Sequence, residues 1–272
     1  MPVLVTGAET AVGRTVATQL ARRGGEVRVF LDLERAGAAD PAPFHALGCK
    51  VARGALDDEG HLESALEQVH TVMHLASSPL QDPERMLDAA ATVLSAAIGA
   101  GCRRVIWLSQ LGAEAPEGND YLAACAEAED LLTDAPLESV VFRPSLTYGP
   151  DDDLTAALAG STANDGSRPG RHAPLYAGDL AEAVAAVDRE RVMAGPADLH
   201  VIVPIAGPDL LRLADVIQGL RDNAPVVCRS QPLPGHVTDL LARDLLPPAG
   251  AIGAYGTSFS EGTRLLAAAW AS

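Results

Sequence analysis

Through the first 145 residues, short apolar runs alternate with stretches whose apolar side chains recur every three or four positions. Runs opening at Val3 and covering 26–31, 49–53, 71–76, 105–109 and 139–142 predict strands. The 71–76 run is apolar at nearly every position, which suits a strand buried on both faces. Between the runs, Val12, Val16 and Leu20 share one helical face, with Arg14, Thr18 and Arg22 opposite. Leu62, Ala65, Leu66 and Val69 stripe a second helix, and Leu87, Ala90, Leu94 and Ile98 a third. Asp82-Pro83 reads as the N-cap and first turn of that third helix, which stops at Gly99 or Gly101. A further helix is expected over 121–132.

Beyond Pro144 the pattern loosens. Asp151, Asp152 and Asp153 are expected to begin a helix, since acids favour the positive end of its dipole. Residues 160–172 form a polar, glycine-rich loop, and 221–258 are rich in proline and glycine. Helices are predicted over 179–187, 210–220 and about 260–270, with a strand over 199–203. No repeat and no separating linker is visible. The expectation is an α/β fold, a Rossmann-type doubly wound parallel sheet with a small C-terminal lobe for a substrate or partner. The chain then reads as one domain over 1–272. Residues 1–145 supply the core, and 146–272 supply mostly lobe elements interleaved with it.

The binding expectation rests on the first turn. An apolar run ends at Thr6-Gly7 and passes through Ala8, Glu9, Thr10, Ala11 and Val12 to Gly13, where a helix is already under way. Unpaired N–H groups at a helix start, with the positive end of its dipole, suit a pyrophosphate. Gly7 can adopt the tight turn and Gly13 allows close helix–sheet packing, but Thr10 stands where a middle glycine is usual. Asp32 follows the second strand, where an acid binds the adenosine ribose hydroxyls. A carboxylate there repels a 2′-phosphate, so NAD is favoured over NADP, with Arg14 and Arg35 as counterweights. An ordinary strand–turn–helix, with Asp32 as a plain turn residue, stays open as the alternative.

Composition narrows the picture further. The chain has 36 acids against 20 bases, a net charge of −16, which argues against nucleic-acid or anionic-membrane partners. Cys49, Cys102, Cys125 and Cys228 are widely spaced, so neither a zinc site nor a disulfide framework is indicated, and no other metal site is read. A first strand opening at residue 3 leaves no room for a signal peptide, and no apolar run is of membrane-spanning length. A cytoplasmic location is therefore expected.

Several short segments carry a family resemblance: Thr6-Gly7 to Gly13, Val72-Met73-His74-Leu75-Ala76, Phe142-Arg143-Pro144-Ser145, Tyr148-Gly149-Pro150 and Tyr176-Ala177-Gly178-Asp179-Leu180-Ala181. In their order and spacing the chain resembles the extended or atypical short-chain dehydrogenases/reductases, in particular the NmrA-like and NAD-dependent epimerase/dehydratase-like members. The resemblance covers nearly the whole chain. It implies that Leu75, Ala76 and Ser77 run beside the phosphates and nicotinamide ribose, and that Pro144 and Ser145 lie near the carboxamide. Leu56 is left to pack on adenine, because the acid that commonly follows the third strand is Ala55 here. His74 is expected to be a satisfied strand-end histidine and Arg143 a structural ion-pair partner.

The catalytic pattern of that family is degraded. Its tyrosine–lysine pair, YxxxK, falls on Tyr121 and Cys125, and its assisting serine on Gln110, with Ser109 one residue away. The lysine lowers the tyrosine's pKa so that the phenol can serve as acid or base. Lys50 is the only lysine in the chain and begins the third strand, at the wrong end of the sheet. Cys125 reads as a small apolar filler. Tyr121 is then a partner of the ribose or a helix-surface residue. No nucleophile elbow, zinc-helix motif or lysine-bearing phosphate loop offers other chemistry. The leading expectation is a NAD(P)-binding protein lacking the Tyr-Lys-Ser apparatus, with a redox-responsive regulatory or accessory role and an unknown small molecule or protein as partner. The acidic surface would suit a basic protein. The alternative is an oxidoreductase with non-standard catalysis, and behind it a sugar-nucleotide epimerase or dehydratase.

Overall fold

Every strand expected in the first half forms, and each pairs in parallel with its neighbours. A computed structural model describes residues 1–33, 40–161, 170–188, 199–224, 232–248 and 256–271. Arg35, Cys228, residues 162–169 of the polar loop and parts of 221–258 lie outside the described residues. The chain begins β1 (Val3–Thr6), α1 (Ala11–Arg22), β2 (Val27–Asp32), α2 (Ala42–Ala46) and β3 (Lys50–Gly54). It continues with α3 (Glu59–Leu66), β4 (Thr71–His74), α4 (Pro83–Gly99), β5 (Arg104–Leu108), α5 (Asp120–Asp134) and β6 (Glu138–Pro144). After these come β7 (Thr147–Tyr148), α6 (Asp153–Gly160), β8 (Arg171–His172), β9 (Leu175–Tyr176), α7 (Ala177–Val187) and β10 (His200–Ile205). The last elements are β11 (Leu211–Arg212), α8 (Leu213–Asn223), α9 (Gly235–Leu241) and α10 (Phe259–Trp270).

The main sheet runs β10-β6-β5-β4-β1-β2-β3, all parallel. Chain order reverses between β1 and β4, so the connections from these two strands leave in opposite directions and open a crevice at their carboxyl ends. One face is covered by α1, α7 and Phe44 of α2, through Val16, Leu20, Leu180 and Val184. The other is covered by α3, α4 and α5, through Leu62, Leu66, Val93, Ala97 and Leu132. Both faces of the central strands are thus buried, which accounts for their unbroken apolar runs.

Two strands stop short of the expectation. The 71–76 run leaves the sheet after His74, and the 105–109 run after Leu108, so Leu75, Ala76 and Ser109 belong to loops at the sheet edge. The 199–203 strand is real, runs over His200–Ile205, and adds a seventh strand beside β6. The helix expected at 210–220 starts at Leu213, because Leu211 and Arg212 pair with β8 instead. The acid run behaves as anticipated: the Asp152 side chain accepts from Thr155 N–H and caps α6. A separate cluster gathers Leu146, Tyr148, Leu158, Val216, Phe259 and Leu266 beside the sheet.

Candidate functional site

The turn after β1 shows why its residues are spaced as they are. Gly7 has φ +71, and a Cβ there would lie 2.4 Å from Ala76 N. A Cβ on Gly13 would lie 2.0 Å from the Gly7 carbonyl oxygen, so this glycine serves contact between helix and turn rather than between helix and sheet. Thr10 fills the missing-glycine position as a cap. Its Oγ1 accepts from Gly13 N–H at 3.0 Å and donates to the Gly7 carbonyl at 2.8 Å. Helix α1 therefore begins against the cleft that Thr10, Ala11 and Val12 line, with its first N–H groups lacking intrahelical partners.

The cleft follows the carboxyl ends of β1, β4, β5 and β6 in two parts. The wider part, about 410 Å³, is lined by Asp32, Leu56, Asp57, His74, Ala76 and Arg85 among others. His74 is held at one ring nitrogen and one ring face: Nδ1 lies 2.8 Å from Thr6 Oγ1, and its ring stacks on Trp107 at 4.2 Å. Burial pushes its pKa down to about 3, so it stays neutral. Arg14, expected as a counterweight to Asp32, is engaged elsewhere. It pairs with Asp151 at 2.7 Å and ties the start of α1 to the turn before α6.

The narrower part, about 60 Å³, is lined by Thr10, Ala11, Val12, Leu75, Ser77, Ser109, Gln110, Tyr121 and Pro144. Tyr121 is not a helix-surface residue: it is 1% exposed, and its hydroxyl lies 3.3 Å from Ser77 Oγ. Burial first, and then the neighbouring Cys125 thiol, push the phenol well above its ordinary pKa. Cys125, one helical turn along α5, is buried and its thiol is pushed up to about 12 by desolvation. Another turn along, Glu129 accepts from Ser109 Oγ–H and is gripped by Arg143 Nε at 2.9 and 3.2 Å. The Arg143 pairing expected from sequence is thus present, and Glu114 extends it at 3.2 Å. Gln110 Nε2 donates to the Pro144 carbonyl at 2.8 Å. Lys50 sits at the amino end of β3, exposed and paired with Glu26 at 2.6 Å. Chemically, the narrow part offers neutral hydroxyl and amide groups beside Asp151, Asp152 and Asp153, and the wide part offers Asp32, Asp57 and further carboxylates with Arg85.

Most of the residues singled out from sequence gather in or under the cleft, whereas Ser145 is buried outside its lining and donates to the Leu245 carbonyl at 3.1 Å. Nine line its narrow part, Asp32, Leu56 and Ala76 line its wide part, and Gly7 and Gly13 shape the turn beneath. Sequence reasoning missed Ser78, Thr147, Asp57 and Arg85. The Tyr148-Gly149-Pro150 segment was a signal for Thr147, and the Asp82-Pro83 cap for Arg85 in the first turn of α4. Nothing local marks Asp57.

Comparison with known proteins places this geometry. Residues 7–187 match the family described as NAD(P)H-binding. A (4-alkanoyl-5-oxo-2,5-dihydrofuran-3-yl)methyl phosphate reductase of Streptomyces griseus is 33% identical over 144 residues, which is 52% of this chain and 46% of that protein. The match thus spans about half the length of that relative. The fold is shared with the UDP-glucose 4-epimerase of Thermus thermophilus in complex with NAD, at TM-score 0.77 and 23% identity over 100% of this chain and 99% of that one. It is shared likewise with the UDP-glucuronic acid 4-epimerase of Bacillus cereus, at TM-score 0.76 and 14% identity over 100% and 99%. Among the described residues, no helix is long and apolar enough to cross a membrane.

Proposed function

The chain belongs to the NAD(P)H-binding family, and on that footing we propose that it is a nicotinamide-dinucleotide-dependent reductase working without a tyrosine–lysine pair. The observation that carries this reading is that the two parts of the cleft adjoin, sharing Ser78 and Asp153 in their linings. Asp32 and Leu56 line one part, and Thr10 to Val12, Ser77, Ser109 and Tyr121 line the other. The residues suit a dinucleotide: Gly7 turns the chain tightly against Ala76, and the start of α1 lines the narrow part through Thr10, Ala11 and Val12, where a helix N-terminus favours a pyrophosphate. Asp32 and Leu56 would hold the adenosine, and Ser77, Tyr121 and Pro144 would border the nicotinamide end. When bound in its reduced form, the dinucleotide supplies hydride. The reductase relative supports this direction of chemistry. NAD is preferred to NADP because the Asp32 carboxylate opposes a 2′-phosphate and Arg14 is held by Asp151.

A second reading, a cofactor-sensing accessory protein, is favoured by one observation: Cys125 occupies the lysine position, and the phenol beside it is pushed up, not down. Binding and turnover separate the two. Saturating NAD(H) at a hundredfold excess over its Kd should stabilise the protein by about 2.7 kcal/mol. Asp32→Arg should move preference towards NADP(H), read as the ratio of the two dissociation constants. An unchanged ratio would remove Asp32 from the ribose. Absence of any melting shift with either dinucleotide at millimolar concentration would sink both readings. Binding without oxidation of reduced dinucleotide by any acceptor would favour the sensor.

A further inference from the structure

We infer that the acceptor reduced in this cleft is a conjugated carbonyl compound, an alkene activated by an adjacent C=O, and not an isolated ketone or aldehyde. The inference rests on the reductase reading and comes from tracing where the polar protons of the narrow part go. Ser109 donates its proton to Glu129, Gln110 spends one of its two amide N–H groups on the Pro144 carbonyl at 2.8 Å, and the Ser78 hydroxyl accepts from Leu80 N–H. Thr147 donates to the Ser145 carbonyl at 3.3 Å, and Thr10 to the Gly7 carbonyl at 2.8 Å. The Asp151 and Asp152 carboxylates are already acceptors, for Arg14 and for Thr155. Ser77 and Tyr121 share one hydrogen bond at 3.3 Å, so whichever donates, the other keeps a proton that can face a ligand. Two sulfurs compete for it, Met86 Sδ at 3.8 Å from Ser77 Oγ and the Cys125 thiol bonded to the Tyr121 hydroxyl, and both are weak acceptors.

Among the described residues, the narrow part is thus lined by neutral hydroxyl and amide donors and by the Asp151, Asp152 and Asp153 carboxylates, with no lysine or arginine beside the Ser77–Tyr121 pair. That distinction decides the substrate class. Hydride addition to an isolated carbonyl leaves a localised alkoxide, which needs a proton as it forms, and a positioned acid is worth about 10²–10⁴-fold there. Hydride addition to the β-carbon of a conjugated carbonyl instead breaks the C=C π bond and spreads the charge over an enolate. A hydrogen bond from the Ser77–Tyr121 pair to the enolate oxygen is the stabilisation such a charge calls for. Water then supplies the proton that the α-carbon takes up. The balance closes with the reduced dinucleotide losing one hydride and its two electrons, while the alkene gains that hydride and a solvent proton.

The test pairs conjugated and saturated acceptors of equal size: cyclohexenone with cyclohexanone, cinnamaldehyde with hydrocinnamaldehyde, and crotonolactone with butyrolactone. Each is offered to the full chain with whichever reduced dinucleotide binds. At least one conjugated member should be reduced at C=C with kcat/KM at least a hundredfold above its saturated partner. Deuterium from the labelled dinucleotide should appear at the β-carbon, and deuterium from heavy water at the α-carbon. Tyr121→Phe should lower that rate about tenfold, the scale of one hydrogen bond and well short of a lost general acid. A readout independent of turnover is the C=O stretch of cyclohexenone bound with the oxidised dinucleotide. It should shift down in the wild type and return towards the free value in the S77A/Y121F variant. Saturated partners reduced as fast as conjugated ones, or a loss of a hundredfold or more with Tyr121→Phe, would overturn the inference and leave the reductase reading standing. Bound dinucleotide with no conjugated acceptor reduced and no shift in the stretch would also overturn it. Failure to bind dinucleotide would instead overturn the reading beneath it.

Discussion

Single residues carry much of what this cleft can do, and His74 shows how a bland role has a measurable signature. It is buried beside Thr6 and Trp107, and its folded pKa of about 3 lies below the ordinary 6.5. As pH falls below 6.5 the unfolded chain takes up the proton first, so the folded state loses ground until about pH 3. Above pH 6.5 the contribution is complete. The expected slope is about 1.4 kcal/mol per pH unit within that window. His172, also buried and also pushed down by desolvation, adds in the same direction. Urea midpoints at pH 7 and pH 5 should therefore differ strongly in the wild type. In His74→Gln the difference should be clearly smaller but not abolished, while stability at pH 7 falls through loss of the Thr6 bond. Equal pH dependence in both proteins would show that His74 is not held neutral. The residues legible in the sequence share a trait: backbone geometry restricts what can stand there. Gly7 and Gly13 admit no Cβ, Thr10 caps, and Asp32 ends a strand on the cleft. Asp57 was illegible because nothing in its own loop demands it; only the folded cleft gives it a place.

At the scale of elements, α5 presents Tyr121, Cys125 and Glu129 on successive turns, from the cleft inward. The inner end is anchored across β5 and β6 by the Glu129–Arg143 pair, whose side chains are 7% and 16% exposed. Removing one partner strands a buried charge, whereas removing both does not. Arg143→Met should cost about 3 kcal/mol. The double change Arg143→Met with Glu129→Leu should recover most of that, as measured by urea unfolding. A single variant within about 0.5 kcal/mol of wild type would mean that the pair is solvated like a surface bridge. The elements that sequence misjudged are the short ones. α2 and α9 are too brief to show a helical stripe, and β11 forms only because β8 offers it a partner. Their existence depends on tertiary contacts, which local periodicity does not record.

For the whole molecule, the seventh strand matters most. The family match ends at Val187, whereas β10 begins at His200 and pairs with β6 along its full length, from Ser139 to Pro144. In the finished protein the outer edge is blunted by Pro204, which has no N–H to offer a neighbouring chain. A chain cut after Val187 would lose that shield and bare the apolar 140–142 stretch of β6 as an open edge. Such a fragment should elute as oligomers and bind amyloid dyes where the full chain stays disperse; a disperse fragment would show that the edge is protected otherwise. The same exposure occurs naturally during synthesis. At about 5–20 residues per second, β6 leaves the ribosome several seconds before the strand that covers it. The most vulnerable moment in this protein's life is therefore that interval, when its sheet is one strand short and the neighbour it meets first need not be its own.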